Sequence, residues 1–377
     1  PECETALAEA EIEYAEDPCH SIYVKFKVTD DMGKLKALGA ALEKTYFVIW
    51  TTTTWTLPAN VAICVGPRFN YALVKSGDEY FVMAEELYAS AFEAAGITDY
   101  EVVGTIMGSE LEYMKTAHPF IDRTSLVIVG DHVTLESGTG CVHTAPGHGL
   151  DDYEVCRNYP EIPIVVPVDA HGKLTEEAGQ FAGLTTEEAN KPIAQHLEKI
   201  GALFALKKII HQYPHCWRCK KPVLFRATEQ WFCSVEDFKD EAVEAIKGVK
   251  WIPGWGEDRI INMVRDRKDW CISRQRKWGV PIPIFFCKEC GEPYINKEAM
   301  MAVSELFRQE GSDAWFKKSA SEILPEGTKC PKCGGTDFDK EKDIMDVWFD
   351  SGVTHAAVCG QRPNLRRPAD LYLEGAD

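Results

Sequence analysis

No run in this 377-residue chain approaches the roughly 18 consecutive apolar residues that a membrane-crossing helix requires, so no membrane partner is expected. The first residues lack the basic start, apolar stretch and small-residue cleavage site of a secretory leader, which places the chain by expectation in the cytoplasm. Basic charge is short overall. Lys and Arg number 41 against 59 Asp and Glu, a net charge of -18, and that excludes a whole-surface polyanion binder. Neither a fixed-period repeat nor a low-complexity tract occurs. What remains is a globular composition, 45% hydrophobic and 27% charged, long enough for two or three domains.

Residues 1–17 hold seven acidic groups and no basic one, and they read as a solvated flank. From about Ser21 short β-type runs follow, at Ile22–Val28, Tyr46–Trp50, Tyr71–Val74 and Ser125–Val129, separated by turn residues. Helical periodicity enters at Ala84–Ala95 and Thr186–Ile200. This pattern predicts a β-barrel-like α+β domain over about 21–205. After Ile210 the composition shifts to Cys, His, Lys, Arg and aromatics, with helices predicted at Val235–Ile246 and Asp258–Asp266 and a cysteine module at 287–345.

Fourteen cysteines in a long chain with no leader point to reduced thiols, and closely spaced pairs then suggest metal or redox chemistry. Cys287 and Cys290 are separated by two residues in a CxxC followed by Gly291, and Cys330 and Cys333 repeat the arrangement before Gly334. Such a turn presents two sulfurs at once, and two turns complete a closed, structural tetrahedral zinc site. The 39 residues between the pairs must loop out as an insertion. The third pair, Cys216 and Cys219, has no second CxxC beside it. Metal binding and a reduced, partly buried pair both fit it.

Two further clusters carry chemistry. In Gly138–Tyr153 a strand-like Cys141–Thr144 leads through a Gly/Pro turn to Asp151 and Asp152, suited to a helix start. His143 there could position or activate a water and Asp152 could hold an ammonium, or both could be a core histidine and a cap. In Trp50–Asn60 a dense set of threonine hydroxyls beside a Pro turn could bind ribose hydroxyls or a carboxyl ester, although Thr is also an ordinary strand residue. Local basic stretches, six basic residues and no acid in 207–226 and seven basics against two acids in 259–277, carry aromatics as a phosphate-and-stacking surface does. A solvated charged face is the plain alternative.

Trp50–Asn60, Gly138–Tyr153, His211–Trp231, Asp269–Gly279, Asp346–Gly352 and Leu371–Asp377 together resemble the bacterial-type isoleucyl-tRNA synthetases of class I, over essentially the whole chain. The resemblance implies a β-barrel-like editing domain at 21–205, inserted in a partial nucleotide-binding, Rossmann-type catalytic domain. By the same token, residues 1–20 form a linker at the edge of a first zinc module, 206–286 part of the catalytic domain with its CxxC, 287–345 a zinc-ribbon insertion, and 346–377 a truncated return. Neither a His-x-Gly-His motif nor a Lys-Met-Ser-Lys-Ser loop occurs, so an internal piece is expected, with ATP and Mg serving only the full-length enzyme and no aminoacylation by this chain.

Carried over residue by residue, the resemblance makes Asp152 the anchor of the substrate's α-ammonium and gives His143 a role in shaping the pocket or positioning the terminal adenosine. Thr51, Thr52, Thr53 and Trp55 line it, with Gly147 and His148 as further substrate-binding positions. Thr54 stands where the family has Pro. Trp348 resembles the contact to the amino acid, and Glu374, Gly375 and Asp377 the adenylate-binding run. Cys3, Cys216 and Cys219 would share zinc with a cysteine just upstream. Implied partners are tRNA(Ile) and its valine and isoleucine moieties, for a monomer that hydrolyses mischarged Val-tRNA(Ile). A zinc-ribbon RNA-binding module without activity is the competing reading.

Overall fold

The protein is described by a computed structural model covering residues 3–371 and 373. It divides into two units. The first joins Glu11–Thr228 to the segment ending at Glu4, and the second joins Thr5–Ala10 to the residues from Glu229 onward.

Ten strands form one mixed sheet in the first unit: β1 (Ile12–Asp30), β2 (Thr45–Thr51), β3 (Ala62–Val65), β4 (Asn70–Ser76), β5 (Glu79–Ala84), β6 (Glu101–Met107), β7 (Lys115–Ala117), β8 (Thr124–Val129), β9 (Cys141–Thr144) and β10 (Leu203–Cys216). Their order is β10-β1-β7-β8-β3-β9-β2-β5-β4-β6, and β1 pairs with β2 as well. That extra pairing closes β1, β7, β8, β3, β9 and β2 into a circuit. β2 runs parallel to β5 and β9, and β3 parallel to β8.

Alternating residues feed two cores on opposite faces of the strands, as a pleat of period two requires. Ile22, Val24, Phe26, Phe47, Ile49, Ile63, Tyr71 and Leu73 enter one core, while Tyr23, Val48, Ala72 and Val74 enter a second with Phe92 of the helix Tyr88–Ala95. Ala62 and Cys64 pack instead against Val155 and Cys156 of the helix Leu150–Cys156. Burial on both faces explains why these strands read as nearly unbroken apolar runs. The helix Thr186–Lys199 begins at a capping box, Thr185 Oγ1 accepting from Glu188 N while the Glu188 carboxylate accepts from Thr185 N.

The acidic start is largely solvent-exposed, as expected, but from Ile12 it is a strand tied into the sheet. From Ile12 it pairs antiparallel with β10, setting Glu13 opposite His215 and Asp17 opposite His211. Acidic residues are poor strand formers, but here the partner strand and its turn are basic. Arg218 meets Glu11 at 3.3 Å and Lys220 meets Glu13 at 2.5 Å. The basic 207–226 stretch is thus partly neutralised from within, which weakens its reading as a nucleic-acid surface. β10 also runs straight across residue 205, and the unit continues to Thr228.

In the second unit, the helices Lys239–Lys247 and Trp255–Arg265 stand near their expected places. Every strand pairing there is antiparallel, so no parallel nucleotide-binding sheet is present among the described residues. Phe285–Cys287, Pro293–Tyr294 and Phe338–Lys340 make a three-stranded sheet packed on the helix Lys297–Glu310, with Trp315 and Phe285 fully buried between them. Arg274, one of the 259–277 basics, lies buried in an ion pair with Asp346 at 2.8 Å rather than on a charged face.

Candidate functional site

β2 and β9 lie side by side and parallel, Trp50 opposite Val142, so their carboxyl ends open on the same side. Loops leaving the strand ends of a rigid scaffold are where binding and catalytic residues concentrate. From β2 the chain passes Thr51 into a 3-10 turn, Thr54–Ala59. From β9 it passes Thr144 into a tight turn and then the helix whose first turn carries Asp151 and Asp152. Between them is a cavity of about 250 Å³ lined by Thr51, Thr53, Trp55, Thr56, His143, Ala145, His148, Asp152, Tyr213 and Phe225.

Of the residues expected there, Thr51, Thr53, Trp55, His143, His148 and Asp152 converge. Thr52 does not line the cavity. Gly147 has a packing role: a Cβ at this position would stand 2.3 Å from the Val165 carbonyl oxygen and 2.9 Å from a Val166 methyl. Trp348 sits in the other unit, on the helix Val347–Gly352, where Asp346 Oδ1 accepts from its N–H at 3.1 Å. Glu374, Gly375 and Asp377 lie outside the described residues.

Asp152 Oδ2 accepts the Ala145 N–H at 2.9 Å. Burial pushes its carboxyl above the ordinary aspartate value, against the pull of that N–H and of His132. A half-buried carboxylate with one N–H partner favours a cation, and an ammonium would complete it. His143 is placed differently. Asn60 Nδ2 donates to its Nδ1 at 2.8 Å, so its Nε2 carries the proton and donates to Thr56 Oγ1 at 3.0 Å. Thr56 Oγ1 in turn donates to the Thr53 carbonyl at 2.7 Å. Burial, with His118 and His148 nearby, lowers His143 to about 3. The ring is neutral with both nitrogens engaged, which suits it to holding the threonine turn rather than to taking a proton from water.

His148 donates Nδ1–H to the Phe225 carbonyl at 2.8 Å and meets the Trp55 ring edge to face, with centroids 5.0 Å apart. Thr54 is buried in the turn, and the helix Thr186–Lys199 steadies the next residue, Asn190 Oδ1 accepting the Trp55 N–H at 3.0 Å. Residues missed by sequence reasoning are Thr56, Asn60, Asn190, Tyr213 and Phe225. Asn60 and Thr56 fell inside the threonine-rich stretch already singled out. Tyr213 and Phe225 come from beyond the expected domain boundary and look like ordinary strand and loop aromatics.

Two thiol clusters form. Cys287, Cys290, Cys330 and Cys333 keep all four sulfurs within 4.8 Å, with Cys287 to Cys333 at 3.5 Å and Cys290 to Cys330 at 3.6 Å. Zinc–thiolate bonds of about 2.3 Å put the sulfurs of a tetrahedron roughly 3.8 Å apart, so the donor set fits that ion. Gly291 and Gly334 take positive φ, 71° and 80°, as the turns demand. The Cys333 N–H leads the donors that pull the Cys330 thiol down to about 7. Cys3, Cys216 and Cys219 supply a second set, also within 4.8 Å. Burial raises the Cys216 thiol, but the N–H groups of Cys219 and Arg218 outweigh it and leave it below its ordinary value.

No helix among the described residues is long and apolar enough to cross a membrane. A family model described as tRNA synthetases class I (I, L, M and V) matches residues 1–377. Over all of this chain and 40% of their own length, an isoleucine–tRNA ligase of Caldanaerobacter subterraneus subsp. tengcongensis is 60% identical and one of Natranaerobius thermophilus is 56% identical. The chain therefore spans about 40% of the curated relatives it matches. A solved structure titled "The crystal structure of GlLeuRS-CP1" is similar at a TM-score of 0.42 and 14% identity, covering 50% of this chain and 99% of that one.

Proposed function

Because this chain belongs to the class I tRNA synthetases of the isoleucine, leucine, methionine and valine group, we propose that its first unit hydrolyses mischarged Val-tRNA(Ile) and that its parent enzyme ligates isoleucine to tRNA(Ile) with ATP and Mg. The closed strand circuit of the first unit is read as the β-barrel of the editing domain, and the cysteine module of the second as a zinc ribbon within a partial catalytic domain. The Rossmann-type portion rests on the resemblance alone. Zinc is assigned to both thiol sets, with a structural role, and a monomeric cytoplasmic enzyme is the setting that goes with this reading.

The observation that carries the proposal is the convergence of Asp152 with threonine hydroxyls in one small cavity. Isoleucine and valine differ by one methylene, worth only about 1–3 kcal/mol in an apolar pocket, and this amino-acid pair is the standard illustration of that limit. A second site that admits valine and excludes isoleucine by size removes the error. Asp152 suits the α-ammonium, and Thr51 and Thr53 suit the ester and ribose oxygens. With His143 neutral and its ring nitrogens occupied, the cavity supports attack by a positioned water, stabilised by fixed donors, over classical base catalysis. Trp348 and the 374–377 run are assigned to the amino-acid and adenylate side of the parent enzyme.

The test is single-turnover hydrolysis of Val-tRNA(Ile). The parent chain is expected to deacylate it and Asp152→Ala to lose at least about tenfold in rate, since a charge-assisted bond is worth about 1.5–3 kcal/mol. Equal rates for the two proteins would remove Asp152 from the site.

A further inference from the structure

One hairpin carries both the three-thiol set and a wall of the cavity. It runs from Tyr213 through the turn at Cys216–Cys219 back to Phe225, closed by Cys216 N to the Lys221 carbonyl at 2.9 Å, Lys220 N to the Cys216 carbonyl at 2.8 Å and Val223 N to the Pro214 carbonyl at 3.0 Å. Its tip holds Cys216 and Cys219, and Cys3 closes on them, Sγ to Sγ of Cys216 at 3.9 Å. Its base reaches the site. Tyr213 and Phe225 line the cavity, the Phe225 carbonyl takes the His148 proton, and Ala227 N donates to the Gly147 carbonyl at 2.7 Å. Tyr213 Oη donates to the Val223 carbonyl at 3.2 Å, tying the two arms together.

The first arm, Tyr213–Cys216, is the end of β10 and is held by β1 as far as the Ile12–Cys216 pair, whereas the returning arm joins the sheet through this first arm, by the Lys221 and Val223 bonds; a lone strand pair of this length is marginal. The turn between them places Lys220 at a φ of 56°, a conformation that side-chain-bearing residues avoid. A cross-link at the tip therefore bears on the returning arm, the one that carries Phe225. We propose that metal held by Cys3, Cys216 and Cys219 sets the shape of the hydrolytic cavity, with the hairpin transmitting occupancy at its tip to Phe225 and, through the Phe225 carbonyl, to the tautomer and orientation of His148. The inference rests on the reading of the cavity as the hydrolytic site. It makes a thiol set otherwise regarded as structural a determinant of editing.

The experiment compares the zinc-loaded chain, the Cys219→Ser chain and the chelator-treated chain before and after zinc is restored. Zinc content is measured for each, together with binding of a non-hydrolysable valyl-adenosine analogue and amide exchange over 213–227 and 145–149. Loss of metal from this set is expected to speed exchange in both segments and weaken the analogue by about tenfold or more, the scale on which a displaced positioning group acts, with zinc restoring both after chelation. Phe225→Ala keeps every thiol and is expected to weaken the analogue at full zinc content, so the inference does not depend on the Cys219→Ser chain folding well. Unchanged exchange and binding after proven metal loss would overturn it. If the loaded chain does not bind the analogue, or Asp152→Asn binds it equally well, the cavity reading fails instead, and the exchange data still decide the coupling.

Discussion

His143 shows how burial changes what a residue type can do. On spacing alone it could activate a water, but the fold puts it on β9 opposite Ile63, with Asn60 and Thr56 occupying its two nitrogens. His118 is similarly buried, donating to the Leu57 carbonyl at 2.8 Å, and is lowered to about 4. Unfolded histidines take up protons near pH 6.5, so between there and the folded values the unfolded state binds more protons. Stability from these two rings is complete above about pH 6.5 and is lost as pH falls toward about 4 and about 3. Asp152, raised rather than lowered, works in the opposite sense and offsets part of this loss. The urea midpoint of the first unit should therefore drop between pH 7.5 and 5.0, and drop less in His118→Gln; a pH-independent midpoint would contradict neutral burial.

At the scale of elements, the apolar runs of β1, β2, β4 and β8 were legible because two-sided burial leaves few polar positions along them. The first half of β1 was not legible. Its acids are tolerated only because β10, nearly 200 residues later, supplies His211, His215 and the basic turn beyond them. The helix Thr186–Lys199 was legible, and its start had a local signal in Thr185 and Glu188. It matters to the site because it carries Asn190, whose side chain holds the Trp55 N–H. Thr185→Ala should cost about 1 kcal/mol, the usual worth of an N-cap, measured by denaturant titration. A change within error would mean that the tertiary contacts of Ile193 and Leu197 alone hold the helix.

For the whole molecule, the two units have separate cores, and the metal-binding chemistry is divided between them. Cys290→Ser should therefore speed amide exchange over 285–340 while leaving β2, β3 and β9 protected, because its thiolate partners and the core around Trp315 lie wholly within the second unit. Matching exchange in both units would contradict that separation. The paired cysteines, the threonine-rich stretch and the His143 to Asp152 spacing could be read from the sequence, since each depends on residues close together along the chain. Family membership was legible for the same reason. The role of His143, the cavity wall from Tyr213 and Phe225, and the pairing of the acidic start with the basic hairpin were decided only by the tertiary structure. Each depends on contacts between segments tens to hundreds of residues apart, and it is those contacts that set a side chain's burial, protonation and partners.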